Sequence, residues 1–239
     1  KSSPAKDGSE GTVVPSKPAP DAAAPVPVVV EREGVGVVEL RAKWLWPPSE
    51  LRRPGAATSC GTLREPALAV ELMGGLQDVA IHSASGTAKQ QARVAIRNCR
   101  FEPRVVVVGQ GGELLLRNGD ERVHTLVVEP LAEDGSVGEA LATLPLRIAG
   151  HEFTVPVGEA GVLRYHSAAD PEVYGYALVS AGAASVTNAR GYGELELEAG
   201  SRELSLWHPP VPGHPGGLRK SATFDVVASK LSKHDVDLM

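Results

Sequence analysis

The sequence has 239 residues, of which 42% are hydrophobic, and a formal net charge of −5. This apolar content suffices for one large domain or two to three small ones, and it excludes a wholly disordered chain. The negative charge provides no broad cationic field, which argues against nucleic acid or an anionic membrane surface as a partner. No apolar run reaches the roughly 18 to 20 residues that a transmembrane helix needs.

Residues 1–33 form the first predicted region, a Pro- and Ala-rich tether without hydrophobic periodicity. Such a segment cannot bury enough apolar surface to offset the entropy of ordering, so we expect it to be disordered and extended. A frayed leader is the alternative. A tether suits an exported protein, periplasmic or extracellular, that a lipid on its N-terminus holds at the outer membrane of a Gram-negative bacterium.

From residue 34 onward, short β-type runs separated by Gly, Pro and Asp dominate the sequence. In the run GELELEAG, Leu195 and Leu197 face one way and the intervening glutamates the other, which is the period of a strand with one wet face. Helical periodicity is confined to short windows such as 139–144. The sequence therefore predicts an all-β protein, with β units at 34–98, 99–181 and 182–239, the last including the C-terminal tail.

Cys60 and Cys99 are the only cysteines. An even count in a chain that has the features of an exported protein predicts one disulfide. In the chain-entropy model, closing the loop between them would stabilise the fold by roughly 4 kcal/mol. Two buried free thiols are the alternative. A two-cysteine metal site is disfavoured because no His or further thiol lies two or three positions from either cysteine.

The second unit begins with a strand start and a turn that leads to a histidine. The residues that carry this pattern are Cys99, Phe101, Pro103, Val105, Arg117, Asn118, Asp120 and His124. On these residues the unit resembles the cupredoxins, in particular the plastocyanin-like proteins of the methylamine-utilisation-like group, in which the segment delivers the first copper-binding histidine. The resemblance implies a cupredoxin-like Greek-key β-sandwich flanked by small β-sandwich units.

The same resemblance places the remaining copper ligands, a Cys, a His and a Met, within residues 161–176. In that register the three positions hold Ser167, Asp170 and Val173. Type 1 copper depends on a soft thiolate, which neither a serine hydroxyl nor valine can replace. We therefore expect no cofactor. The alternative is a weak copper or zinc site built from His124, Ser167 and Asp170, which His166 could join only if the loop slipped by one residue.

The third unit ends in NARGYGELELEAGSRELSLWHP, residues 188–209. This segment is similar to the ending of the same plastocyanin-like group. It also resembles the small β-sandwich modules of carboxypeptidase-regulatory type. The resemblance therefore reaches into the 182–239 unit.

Three tryptophans are candidates for a binding surface. Trp44 and Trp46 are two residues apart, so on a strand they point to the same face, and Trp207 lies in the third unit. Exposed tryptophans stack on sugar rings or anchor protein partners. Packing of these side chains in the core is the alternative.

The sequence favours a non-catalytic function. It contains no G-x-S-x-G elbow, H-E-x-x-H pair or P-loop. We expect an exported cupredoxin-like protein that has lost its type 1 copper site and acts as a structural or binding subunit beside a protein partner or within an assembly. The alternatives are an electron-transfer or copper- or zinc-binding protein with a non-standard site, and a carbohydrate- or surface-binding module.

Overall fold

A computed structural model describes residues 34–239, and β-strands dominate this part of the chain. The tether expected at 1–33 lies outside the described residues. The strands are β1 (Val35–Lys43), β2 (Ala80–Ser83), β3 (Gln91–Arg97), β4 (Arg100–Glu102), β5 (Val105–Gly109), β6 (Glu113–Asn118), β7 (His124–Leu131), β8 (Ala142–Leu146), β9 (Glu152–Pro156), β10 (Gly161–Ser167), β11 (Asp170–Ser180), β12 (Ala184–Val186), β13 (Tyr192–Glu198), β14 (Gly200–His208), β15 (Leu218–Val226) and β16 (Leu231–Asp237). A 3-10 helix spans Ser49–Arg52. Within 34–239, no helix is long and apolar enough to cross a membrane.

The first β-sandwich consists of two sheets, one with strand order β5-β11-β10-β7-β8 and one with order β4-β3-β6-β9. The pairs β5–β11 and β3–β6 are parallel, and the other neighbours are antiparallel. The chain crosses repeatedly from one sheet to the other, as in a Greek key. The inward side chains of both sheets form one apolar core that includes Ile96, Leu114, Leu116, Leu126, Leu146 and Tyr165. The predicted all-β, cupredoxin-like sandwich is confirmed.

The second β-sandwich joins strands from both ends of the described chain. Its sheets have the orders β13-β1-β16 and β12-β2-β14-β15. In the first of them, β1 pairs antiparallel with β13 and parallel with β16. The core between the sheets includes Val38, Leu40, Leu76, Ile81, Leu195, Leu197, Leu204 and Leu206.

This arrangement corrects the three-unit division of the sequence. The units expected at 34–98 and 182–239 form one sandwich, and β3, placed in the first of these units, belongs to the cupredoxin-like sandwich. The physical reason is that the backbone of β1 needs neighbouring strands for its hydrogen bonds, and those strands lie about 150 residues or more later in the chain. Local periodicity carries no information about such distant pairing.

The two sandwiches pack against each other through a small apolar cluster that includes Trp207, Tyr176, Leu178 and Val105. The rings of Trp207 and Tyr176 meet edge to face with centroids 5.7 Å apart. Trp207 Nε1 donates a hydrogen bond to the carbonyl of Gly216 at 3.0 Å. Gly217 has a φ of +93°, and a Cβ there would lie 2.5 Å from Trp207 Nε1, so the loop needs glycine at this position.

Two local expectations have opposite outcomes. In β13, Leu195 and Leu197 are buried while the intervening glutamates are exposed, so the predicted alternation is confirmed. The helical window at 139–144 is wrong, because β8 begins at Ala142 and pairs with β7. Pro145 cannot continue a helix, and the edge of the sheet offers the backbone a partner instead.

Candidate functional site

His124 is the first residue of β7 and is held by the turn that precedes it. Its Nε2 lies 2.9 Å from Oδ2 of Asp120. Asp120 is itself fixed, since its Oδ1 accepts a hydrogen bond from the backbone N–H of Asn98 and its own N–H donates to Asn118 Oδ1. Asn118 is fully buried and donates through Nδ2 to the carbonyl of Arg122 at 2.7 Å. The segment from Arg117 to His124 is therefore a closed polar turn that orients the histidine.

Ser167 lies at the end of β10 on the same inward face as His124. It pairs with Leu126 of β7, two residues beyond the histidine, and alternate residues of a strand share a face. Ser167 is fully buried, and its hydroxyl has no hydrogen-bond partner. A hydroxyl thus occupies the position where the cupredoxin resemblance places a copper-binding thiolate.

Asp170 is the first residue of β11 and accepts hydrogen bonds from Ser59, which lies in the connection between β1 and β2 of the second sandwich. Its Oδ1 accepts a hydrogen bond from the backbone N–H of Ser59 at 2.8 Å, and its Oδ2 accepts one from the Ser59 hydroxyl. Arg122 donates to the carbonyl of the same serine at 2.8 Å. Asp170 and Arg122 therefore hold Ser59 from two sides.

The segment around Ser59 is also fixed covalently. Cys60 and Cys99 form the predicted disulfide, with their Cα atoms 5.8 Å apart. Thr62 Oγ1 donates to the carbonyl of Asn98 at 2.7 Å, and Arg100 donates to the carbonyl of Leu63 at 2.9 Å. We call residues 58–63 the latch segment. It joins the second sandwich to the end of the first at which His124 and Asp170 lie.

His166 faces away from Ser167, as strand alternation requires. The β10–β11 register shifts between His166 and Ser167, but the shift does not turn the imidazole inward. Its Nε2 lies 3.5 Å from Glu129 Oε1 on the outer face, where Glu129 also accepts hydrogen bonds from Arg164. His166 and His124 therefore lie on opposite faces of the sheet.

Val173, at the position expected for methionine, packs in the core of the first sandwich. The two methionines of the chain, Met73 and Met239, are exposed and belong to the other sandwich. Both cysteines are in the disulfide, so no thiolate is available. The side chains present do not fit type 1 copper. Among residues 34–239, no group of three or more His, Cys, Asp or Glu lies in a metal-binding arrangement.

The tryptophans do not form a common surface. Trp207 is 1% exposed, so its assignment to a binding surface is wrong. Trp44 is half-buried and packs against the second core, whereas Trp46 is 90% exposed. The shared face expected for this pair requires a strand, but β1 ends at Lys43 and the chain bends there.

Ser59 and Arg122 are the site residues that sequence reasoning missed. Ser59 lies outside the recognised motifs and Arg122 occupies a variable position of the turn, and the side chain of each acts on a distant segment. The available signal was the position of Ser59 next to Cys60. A disulfide to Cys99 brings the neighbours of Cys60 to the start of the first sandwich.

Comparisons with known proteins give matches to solved structures alone. No family model matches the chain, and no curated protein matches it. A purple cupredoxin from Nitrosopumilus maritimus matches with 23% identity over 37% of this chain and 99% of its own, at a TM-score of 0.32. An oxidized amicyanin variant matches with 23% identity over 43% of this chain and 99% of its own, at a TM-score of 0.32. A copper-containing nitrite reductase from Thermus scotoductus matches with 18% identity over 37% of this chain and 22% of its own, also at 0.32.

At these identities and TM-scores, the matches do not carry copper chemistry to this chain. The cupredoxin-like description rests on its own strand order. Function depends on the side chains at the end of the sandwich and does not follow from the fold.

Proposed function

We propose that this chain is a non-catalytic, exported protein in which the copper-site end of a cupredoxin-like sandwich has become a structural junction. In this proposal the protein acts as a structural or binding subunit. The observation that carries the proposal is the pair of hydrogen bonds from Ser59 to Asp170, the residue at the second histidine position. That carboxylate serves to hold the latch segment.

The other positions of the site support the same conclusion. His124 is hydrogen-bonded to Asp120, Ser167 is a buried hydroxyl, and Val173 is a core residue. Neither of the last two offers a strong metal ligand, because serine is a neutral hydroxyl and valine has no donor atom. A single imidazole and a carboxylate already engaged by two donors make a poor site for copper or zinc.

Export is supported by the disulfide. Disulfides persist in oxidising compartments and are rare in the cytosol, where thiols are kept reduced. In the proposal the protein therefore works in the periplasm or outside the cell.

A partner-binding role is supported by two neighbouring loops that present apolar side chains to solvent. Leu45 and Trp46 follow β1, and Leu72 and Met73 lie in the turn that a hydrogen bond from Trp44 N–H to Gly74 O places beside it. All four side chains are more than half exposed. Exposed apolar groups clustered in this way are typical of protein interaction sites, with tryptophan the most frequent anchor.

The test is metal content and affinity. Protein purified without chelators is analysed for metals, and copper and zinc are then titrated into the wild type and His124→Ala. His151→Ala is the matched control, because His151 is a partly buried histidine elsewhere in the first sandwich. We expect no retained metal and equal weak binding by all three proteins.

Stoichiometric tight binding of copper or zinc that His124→Ala abolishes and His151→Ala preserves would overturn the proposal. It would support a metal-binding or electron-transfer protein with a non-standard site. Optical and electron paramagnetic resonance spectra of the copper-loaded protein would then identify the ligands.

A further inference from the structure

A cavity of about 390 Å³ lies where the first sandwich meets the segment 50–67, which begins in the 3-10 helix, and the Pro-rich loop after β14. This volume falls within the range of small-molecule binding pockets. The cavity wall is largely apolar, with Phe101, Tyr174 and Tyr176 on one side and Pro210 and Pro212 contributed by the loop. An apolar wall of this kind suits a ligand with a hydrophobic body.

The cavity also contains charged groups of both signs. The charged lining residues are Arg53, Arg64, Arg100, Arg104, Glu50, Glu65 and Glu172. Several of these are already engaged: Arg64 pairs with Glu172, and Arg104 donates to the carbonyl of Pro66 and lies 3.9 Å from Asp78. Glu50 accepts a hydrogen bond from Ser49, and the exposed Arg53 lies in its electrostatic field. Among residues 34–239, the guanidinium of Arg100 and the carboxylate of Glu65 make no ion pair.

Arg100 has an unused donor. One of its terminal nitrogens bonds to the carbonyl of Leu63, but its Nε is buried and has no partner. A buried donor without an acceptor destabilises the protein, and a small shift of the side chain toward an anionic oxygen would relieve this cost. Guanidinium groups bind carboxylates through two parallel hydrogen bonds.

Glu65 provides a solvent-exposed carboxylate among the lining residues of the cavity. Its carboxylate makes no hydrogen bond or ion pair with any residue of the described chain, although it lies in the electrostatic fields of Arg104 and Arg100. Partial burial raises the pKa of Glu65, and the nearby Arg104 and Arg100 oppose this shift. A ligand cation beside it would stabilise its charged form.

We propose that this cavity binds a small zwitterion with an apolar body, of which an α-amino acid with an apolar side chain is the simplest kind. Arg100 receives the carboxylate, Glu65 receives the ammonium group, and the aromatic and proline walls contact the side chain. Because Arg100 and Glu65 do not pair with each other, one ligand that carries both charges can contact both. The proposal goes beyond the proposed function and does not depend on whether metal binds.

The test is calorimetric titration of the full chain in chelator-containing buffer with four probes: L-phenylalanine, L-leucine, 3-phenylpropionate and phenethylamine. The third probe lacks the ammonium group of phenylalanine and the fourth lacks its carboxylate. We expect phenylalanine to bind at least about tenfold more tightly than either, since hydrogen bonds to charged groups contribute this much.

Three variants connect the binding to the named residues. Glu65→Gln should remove the preference for phenylalanine over 3-phenylpropionate, and Arg100→Gln should remove its preference over phenethylamine. Arg93→Gln is the matched control, because Arg93 is exposed on β3 and outside the cavity, and it should bind as the wild type does. Circular dichroism and thermal unfolding show whether each variant is folded.

Arg100→Gln also loses the bond to Leu63, so Glu65→Gln, which loses no bond, keeps the test valid if the first variant is unstable. The proposal is overturned if neither amino acid binds at millimolar concentration. It is equally overturned if phenylalanine binds with an affinity that Glu65→Gln leaves unchanged.

Discussion

Ser59 donates two hydrogen bonds to Asp170, one from its backbone N–H at 2.8 Å and one from its hydroxyl. The two residues are 111 positions apart, and they join the latch segment to the start of β11. This contact occupies the position where the cupredoxin resemblance places a copper-binding histidine. It makes the end of the first sandwich a junction between the two halves of the molecule.

Asp170→Ala should destabilise the protein by about 1 kcal/mol, because it removes two hydrogen bonds from Ser59 at an exposed position, where water can replace the lost acceptor. Chemical denaturation followed by circular dichroism measures the free energy of unfolding. The matched control is Asp225→Ala, since Asp225 is exposed on β15 and makes no hydrogen bond or ion pair among the described residues. Equal stability of the two variants would show that the Ser59 contact contributes nothing.

Reduction of the Cys60–Cys99 disulfide should lower the free energy of unfolding by roughly 4 kcal/mol, the chain-entropy value for a loop of this length. Unfolding with and without a thiol reductant measures the change. The double variant Cys60→Ser/Cys99→Ser should match the reduced wild type and should not respond to reductant. A reductant effect on the double variant would mean that the loss of stability has another origin.

Ser167→Ala should leave stability unchanged or raise it by up to about 1 kcal/mol, because the hydroxyl that it removes is buried and unpartnered. Ser180→Ala is the matched control. Ser180 is also buried, but its Oγ donates to the carbonyl of Gly182 at 2.9 Å, so its loss should destabilise the protein by about 1 kcal/mol. A clear destabilisation by Ser167→Ala would indicate that the hydroxyl has a partner.

The stability of the protein should fall as the pH is lowered from about 6.5 toward 3. Burial, with a further contribution from Arg104, lowers the pKa of His208 to about 3. An unfolded histidine has a pKa near 6.5, so below that pH the unfolded chain binds a proton that the folded protein excludes. The contribution of the neutral, buried His208 to the free energy of unfolding is present in full above about pH 6.5. At pH 5, about 2 kcal/mol of this contribution should be lost.

His208→Asn tests the assignment of this pH dependence. Asparagine does not titrate in this range and can still donate to the carbonyl of Pro209, the partner of His208 Nδ1. The variant should lose less stability than the wild type between pH 7 and pH 5. Part of the decline should persist, since burial also lowers the pKa of His82. An identical decline in both proteins would refute the role of His208.

Trp46→Ala and Trp207→Ala should differ sharply in their effects. Trp207 is buried between the sandwiches, so its truncation should cost about 3–5 kcal/mol. Trp46 is exposed, so its truncation should change stability by less than about 0.5 kcal/mol. Denaturant unfolding followed by circular dichroism compares the two. A large cost at Trp46 would show that its side chain is packed in solution.

Strand periodicity and turn residues were enough to predict the all-β class, and β13 shows why. The alternation of leucine and glutamate matches the pleat of a strand with one face in the core, and this relation is local. The turn that contains Asn118, Asp120 and His124 was also predictable, because the hydrogen bonds that hold it lie within seven residues of sequence. The disulfide followed from cysteine count and the features of an exported chain.

Features that depend on distant segments were not accessible in this way. Tryptophan composition could not separate the buried Trp207 from the exposed Trp46, since burial depends on the packing of one sandwich on the other. The pairing of β1 with β13 and β16 has no local signature. The helical window at 139–144 failed because the edge of β7 provided the backbone with hydrogen bonds that a short helix could not match.

The sequence by itself determined the strand-rich class, the turn that carries His124 and the serine at position 167, where the cupredoxin resemblance places a thiolate. These depend on residue identity and on spacing within one segment. Only the tertiary structure decided that both ends of the described chain form one sandwich, that Asp170 holds Ser59, and that Arg100 and Glu65 lie in one cavity without pairing. Each of these depends on contacts between distant segments. Those contacts form only when whole sheets pack together and bury their apolar faces.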